Sequence, residues 1–293
     1  LAFTGGASQS TDRGLTAAAN ANLRLAGDPS ATMTYAGAFN AAGFSVFLTA
    51  ADGTLQGSLL GGLTQTGTGA DLYVNSGRWT LGGATSTIAD DIVVTGADAR
   101  LILAGTGSLA YVTGTSNGLY ARNGGTITLA SDHVAGAANE GGLDFILLGD
   151  TTPGAVGTLE LAGFDLISPR LDLGNRAAGL EGVVAGPGLL TLTTASANWS
   201  SGVRLLRGTV SADLAGGASF FKFGPGTVVL SGANAGLTNT TVATRLDEGE
   251  LRLDFAASGA AKLPTGANLD LRGGTLALQA GAGPGAQAFA GLV

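Results

Sequence analysis

The chain has 293 residues, 45% of them hydrophobic and 12% charged, with 51 glycines, 7 prolines and no cysteine. Absent cysteine excludes disulfides, thiolate metal sites and a cysteine nucleophile, and glycine this frequent with so little proline and no three-residue period fits neither a disordered chain nor collagen. A formal charge of −7 with only 14 basic residues argues against nucleic acid as a partner, because phosphate binding needs clustered Lys and Arg.

The opening, Leu1-Ala2-Phe3-Thr4, has neither an initiating Met nor a basic, apolar signal segment, and reads as the start of a piece cut from something longer. From Leu23 to Leu278 the apolar residues come as short alternating pairs bounded by Gly, Asn, Asp and Thr, the pattern of short strands and tight turns rather than of helices. No apolar run approaches the roughly 18 residues that a membrane helix needs, so no membrane-spanning segment is expected.

Glycine, one residue, then an apolar residue opening a strand recurs along the chain. The copies are Gly53-Thr54-Leu55, Gly77-Arg78-Trp79, Gly107-Ser108-Leu109, Gly125-Thr126-Ile127, Gly157-Thr158-Leu159, Gly208-Thr209-Val210, Gly226-Thr227-Val228, Gly249-Glu250-Leu251 and Gly274-Thr275-Leu276, with a weaker one at Gly188-Leu189-Leu190. Their spacing averages roughly 25 residues, within the range of solenoid repeats, and varies from about 18 to about 32. The expected fold is therefore all-β: one domain over 1–293, a right-handed, single-stranded parallel β-helix (β-solenoid) of about 12 coils, with Leu, Val and Ile stacked inward and glycine at positive-φ corners. A β-sandwich or barrel ranks second, since hairpin turns are scarce. Asp52-Gly53 and Asn117-Gly118 stand alone, and Asn123-Gly124 reads better as a coil corner.

The last quarter is more specific. Lys222-Phe223-Gly224-Pro225-Gly226-Thr227-Val228-Val229-Leu230-Ser231-Gly232-Ala233-Asn234 is followed by Thr240-Thr241-Val242, Gly249-Glu250-Leu251-Arg252-Leu253 and Gly273-Gly274-Thr275-Leu276. Residues 221–278 thus resemble the autotransporter-associated β-strand repeat of bacterial autotransporter passenger domains and other large surface proteins. They depart from its pattern in lacking a Gly before Thr240, in carrying Glu250 for Thr, and in about four extra residues around 245–248. The resemblance implies a β-helix exported to the bacterial cell surface or beyond.

The chemistry-bearing residues are scattered, and no catalytic, cofactor or metal residue is assigned. His133, the single histidine, follows Asp132 but has no evident nucleophile or oxyanion donor. Asp90-Asp91 resembles paired carboxylates for calcium or acid catalysis, yet strand neighbours point to opposite faces and converge only at a bend. Thr66-Gly67-Thr68-Gly69-Ala70-Asp71-Leu72-Tyr73-Val74 resembles one unit of a calcium-binding nonapeptide, without the second copy such sites need. The sequons at Asn198 and Asn239 read as corner asparagines, 281–285 as a turn without the lysine of a phosphate loop, and Phe220, Phe221 and Phe223 as core or cap. Tyr35, Tyr73, Trp79, Tyr111, Tyr120 and Trp199 are the aromatics able to stack sugars.

The expectation is a non-catalytic extracellular or cell-surface stalk or adhesin. Its partners would be adjoining coils of a parent chain or copies of itself, and cell-surface or glycan ligands. A self-assembling filament or sheath subunit is the alternative, favoured if the ends are uncapped. A polysaccharide lyase or glycosidase is the second alternative and would require several of Asp90, Asp91, Asp98, Asp132, Asp144, Arg100 and Arg122 to meet in one cleft.

Overall fold

The computed structural model describes residues 2–3, 8–17, 23–27, 32–50, 56–83, 86–104, 109–111, 117–133, 143–149, 153–175, 180–195, 197–198, 202–281 and 283–293. Among these there is no helix and every strand pairing is parallel, so the chain is a β-solenoid and the hairpin-built alternatives fall away. It comprises two compact units, Leu1–Asp144 and Phe145–Val293.

In the first unit the chain visits three faces in turn. Strands Val46–Ala50, Leu72–Val74, Ile92–Thr95 and Asn117–Arg122 stack on the first face. Gln56–Leu59, Gly77–Leu81, Ala99–Leu103 and Thr126–Leu129 stack on the second. Shorter strands such as Leu63–Gln65 and Ser86–Ile88 form the third. The second unit repeats the scheme, for example with Phe220–Lys222, Thr227–Leu230 and Gly236–Leu237 on its three faces. The third face has five strands in the first unit and four in the second, so about nine turns are complete on all sides, somewhat fewer than the twelve expected. Third-face strands among the described residues are only two to four residues long.

Alternation places the core. Leu101 lies between Trp79 and Ile127 on neighbouring coils and Leu72 between Val46 and Ile92, all fully buried. Trp79, one of the proposed sugar-stacking aromatics, is thus a core residue. A side chain on Gly57 in the coil below would begin 2.3 Å from its ring. In the second unit Val228, Leu230, Leu251 and Leu253 stack inward as the repeat predicts. Leu276 and Leu278 continue those columns in register, but Thr275–Gln279 is the last strand of its face and Leu278 is 61% exposed rather than buried.

The repeat-like glycines serve two purposes. Gly249 has φ +72, and a Cβ there would meet Gly224 O at 2.4 Å. Gly125 has no positive φ but lets Val94 O approach to 2.3 Å from where a Cβ would stand. Positive φ at every corner, as the sequence suggested, is therefore too broad; close approach of a neighbouring coil's backbone accounts for Gly125 and Gly226. Asn123-Gly124 is a coil corner, with φ 53° and 90°, whereas Asn117-Gly118 lies within a strand. The copy at Gly53-Thr54-Leu55, the turn Asp52-Gly53, and Gly107-Ser108 lie outside the described residues, as do Leu1, Thr4, Trp199 and Ser200.

The residues that carry the repeat resemblance hold coils together. Lys222 occupies an inward column between Leu205 and Leu246. Its ammonium bends to the corner and donates to Gly224 O (2.7 Å), Glu248 O (3.0 Å) and Phe223 O (3.4 Å). Lys262, also buried, donates to Gly232 O (2.6 Å), Ser258 O (2.9 Å) and Ser231 O (3.1 Å). Asn234 bridges coils on both sides: its Oδ1 accepts Leu214 N–H and its Nδ2 donates to Lys262 O. Asn239 likewise turns inward and uses both ends of its amide on the backbone, which explains this sequon as a buried corner.

Candidate functional site

Among the described residues, a cluster of three acids lies in the first unit, where the chain enters the first face. Asp71 and Asp91 immediately precede strands Leu72–Val74 and Ile92–Thr95, whose first residues are register partners, so the two carboxylates sit on neighbouring coils. Asp90 joins them because residues 89–90 form a bend, the geometry in which adjacent aspartates can converge. One oxygen from each of the three lies within 4.8 Å of the others.

These carboxylates already have structural work. Asp71 N–H donates to Ser45 Oγ (3.1 Å), Asp91 N–H to Asp71 Oδ1 (3.2 Å), and Gly118 N–H to Asp91 Oδ1 (2.7 Å), so each coil is tied to the next by a side-chain oxygen. Asp144 adds a similar bond, accepting Asn117 N–H at 3.0 Å. Tyr73 Oη donates to Asp71 Oδ2 at 2.6 Å, and its ring stacks on Phe47 with centroids 4.8 Å apart.

The electrostatics follow from this crowding. Burial first, then the charges of Asp90 and Asp71, raise Asp91 from the usual carboxylate value to about 6, against the lowering effect of bonds from Gly118 and Tyr120. Asp90 is raised by burial and by Asp71, and Tyr73 is pushed up to about 12, chiefly by its bond to Asp71. Three such oxygens suit a hard cation such as calcium, which takes six to eight. Asp71, from the nonapeptide-like segment, is the member that sequence order alone did not connect with Asp90-Asp91.

Among the described residues, the other candidate acids and bases do not gather into a cleft. His133 is buried, and burial lowers its pKa; its Nε2 lies 3.5 Å from Ser131 Oγ, while Asp132 is exposed. Asp98 and Arg100 are exposed on a corner and on the second face, and Arg122 lies over the Tyr120 ring at 4.0 Å. In the second unit, arginines pair with acids two residues away along the chain, as Arg245 does with Asp247, or across coils, as Arg204 does with Asp172. Asp172, buried, accepts from Arg204 through both oxygens and from Arg170 Nη2 at 3.1 Å. An open groove of about 250 Å³ there is lined by Phe221, Thr241, Val242, Arg245, Asp270 and Arg272. Its guanidiniums are taken by Asp247 and Asp270.

No protein family, curated protein or solved structure matches the chain. The arrangement must therefore be read from its own chemistry. Of the aromatics considered for sugar stacking, Tyr35 and Tyr111 are buried with Trp79, leaving Tyr73 and Tyr120 half-buried on the first face.

Proposed function

We propose that this chain is a non-catalytic extracellular or cell-surface stalk, built from coils similar to the autotransporter-associated β-strand repeat. The observation that carries the reading is where the polar residues go. Lys222, Lys262, Asn234, Asn239 and Asp172 are buried and bond coil to coil, and Asp71, Asp91 and Asp144 accept backbone N–H groups of neighbouring coils. A hydrolase or lyase on this fold would need an acid and a base converging on an open cleft. Paired carboxylates can fill both roles, but Asp71 and Asp91 already accept hydrogen bonds from Tyr73 and from backbone N–H groups of neighbouring coils.

Two measurements test it. Purified chain incubated with pectin or polygalacturonate is expected to give no new reducing ends or unsaturated products. Cleavage that disappears on Asp90→Asn or Asp132→Asn would establish an enzyme instead. Protease shaving of intact source cells is expected to release peptides of this chain, and their restriction to the cell interior would remove the surface role.

The filament alternative draws on one observation. Leu271 and Leu278, in register with buried Leu246 and Leu253, are 41% and 61% exposed on the last strands of their faces. The segment 291–293 covers the start of Leu269–Leu271, but a strand edge beside an exposed apolar side chain such as Leu278 is a template for another strand. Concentration-dependent growth in sedimentation velocity would favour that reading over the stalk.

A further inference from the structure

On the outer side of its second face, the first unit carries two arginines without counter-charges. Register places Arg78 opposite Arg100 on neighbouring coils, with Ser58 opposite Thr80 in the adjoining outward row. Partners on adjacent strands stand about 4.8 Å apart, so the two guanidinium stems leave the sheet side by side, with the hydroxyl row two residues along the same side. Both arginines are exposed.

Like charges directly opposite on a sheet are unfavourable, and the paired arginines of the second unit show the usual remedy. In the second unit Arg170, Arg204, Arg207, Arg245, Arg252 and Arg272 each meet a carboxylate. Neither Arg78 nor Arg100 has a side-chain hydrogen bond or ion pair among the described residues, and the exposed Asp98, two residues before Arg100, does not pair with it.

We propose that Arg78 and Arg100 form a docking strip for an acidic, uronate-bearing polysaccharide. The planar guanidinium fork matches a carboxylate through two parallel bonds. The neighbouring Ser58 and Thr80 hydroxyls suit a ligand that carries hydroxyl groups beside its charge. Nucleic acid is disfavoured, because its binding needs clustered cationic contacts and the chain carries −7, whereas each guanidinium alone can take one uronate carboxylate. The inference rests on the extracellular reading, in which glycans are within reach.

The test is affinity electrophoresis of the full chain through native gels containing polygalacturonate at low salt, with neutral dextran as reference. Polygalacturonate is expected to retard the wild type and dextran to leave it unchanged. The double variant Arg78→Gln, Arg100→Gln should bind about tenfold more weakly, the equivalent of about 1.4 kcal/mol, while the control Arg252→Gln binds as wild type. Retardation should vanish near 0.2 M salt, where exposed charges are screened beyond roughly 7 Å. Both arginines are exposed and unpaired, so glutamine should leave the fold intact, which circular dichroism checks. Absence of retardation in the wild type, or equal retardation of the double variant, overturns the strip. Stronger retention by single-stranded DNA than by polygalacturonate also overturns it, in favour of a nucleic-acid surface. None of these results touches the stalk reading, which fails on turnover or on confinement within the cell.

Discussion

Replacing Lys222 by methionine tests whether a buried ammonium is part of what holds the coils together. Methionine keeps the unbranched stem that fills the column between Leu205 and Leu246, so little packing is lost. What disappears is the donor shared by Gly224 O and Glu248 O at 2.7 and 3.0 Å, with Phe223 O farther off. Each buried carbonyl left without a donor costs about 1–3 kcal/mol. The gain on removing a buried charge offsets part of this, since burial lowers Lys222 to about 8. The net loss expected at pH 7 is up to about 3 kcal/mol, read as a lower urea midpoint with unchanged slope. Arg252→Met, on an exposed pair, should cost no more than about 1 kcal/mol. The pH dependence is a second readout. Because the folded-state value lies below the ordinary 10.5, the unfolded chain binds the extra proton between pH 8 and 10.5. Wild-type stability should therefore contain a contribution that rises with pH across that window, and the methionine variant should lack it. A variant as stable as wild type at pH 7, with the same alkaline profile, would refute the reasoning.

Three further outcomes follow from the same geometry. Leu253→Ala, at a fully buried site, should cost about 2–5 kcal/mol, whereas Leu278→Ala, largely exposed, should cost under about 1 kcal/mol; comparable losses in urea melts would mean the last coil is covered in solution. Asp91 is raised to about 6, so the folded state takes up its proton before the unfolded state does. Its contribution to stability should grow as pH falls from about 6 toward 4, and Asp91→Asn, which keeps an acceptor for Gly118 N–H, should abolish that rise in thermal melts. Asn234→Ala removes bonds to Leu214 and Lys262 and should lower stability by about 1–3 kcal/mol, with faster amide exchange at Leu214.

The parallel coil architecture and its inward leucines were legible because the Gly-x-apolar rhythm fixes which alternate residues face inward. Val228, Leu230, Leu251 and Leu253 are buried as that rhythm requires. The third face was not legible, since strands as short as Gly236–Leu237 leave no alternating signature. The meeting of Asp71 with Asp90 and Asp91 was hidden by uneven coil lengths: Asp71 and Asp91 are bonded neighbours 20 residues apart, whereas Asp172 and Arg204 are neighbours 32 apart. A lysine in an inward column also defies the simple pattern. Lys222 reads as polar in sequence, and only the corner carbonyls within reach of its long stem explain its place.

The burial of Lys222 and Lys262, the two lysines of the sequence, has a consequence for reactivity. An amine-directed ester finds no lysine at the surface of the folded protein, so acylation at either residue must wait for its corner to open. The rate of lysine modification at each site therefore becomes a clock for local unfolding, reporting separately on the turns at 222–224 and 258–262 while the rest of the molecule stays folded.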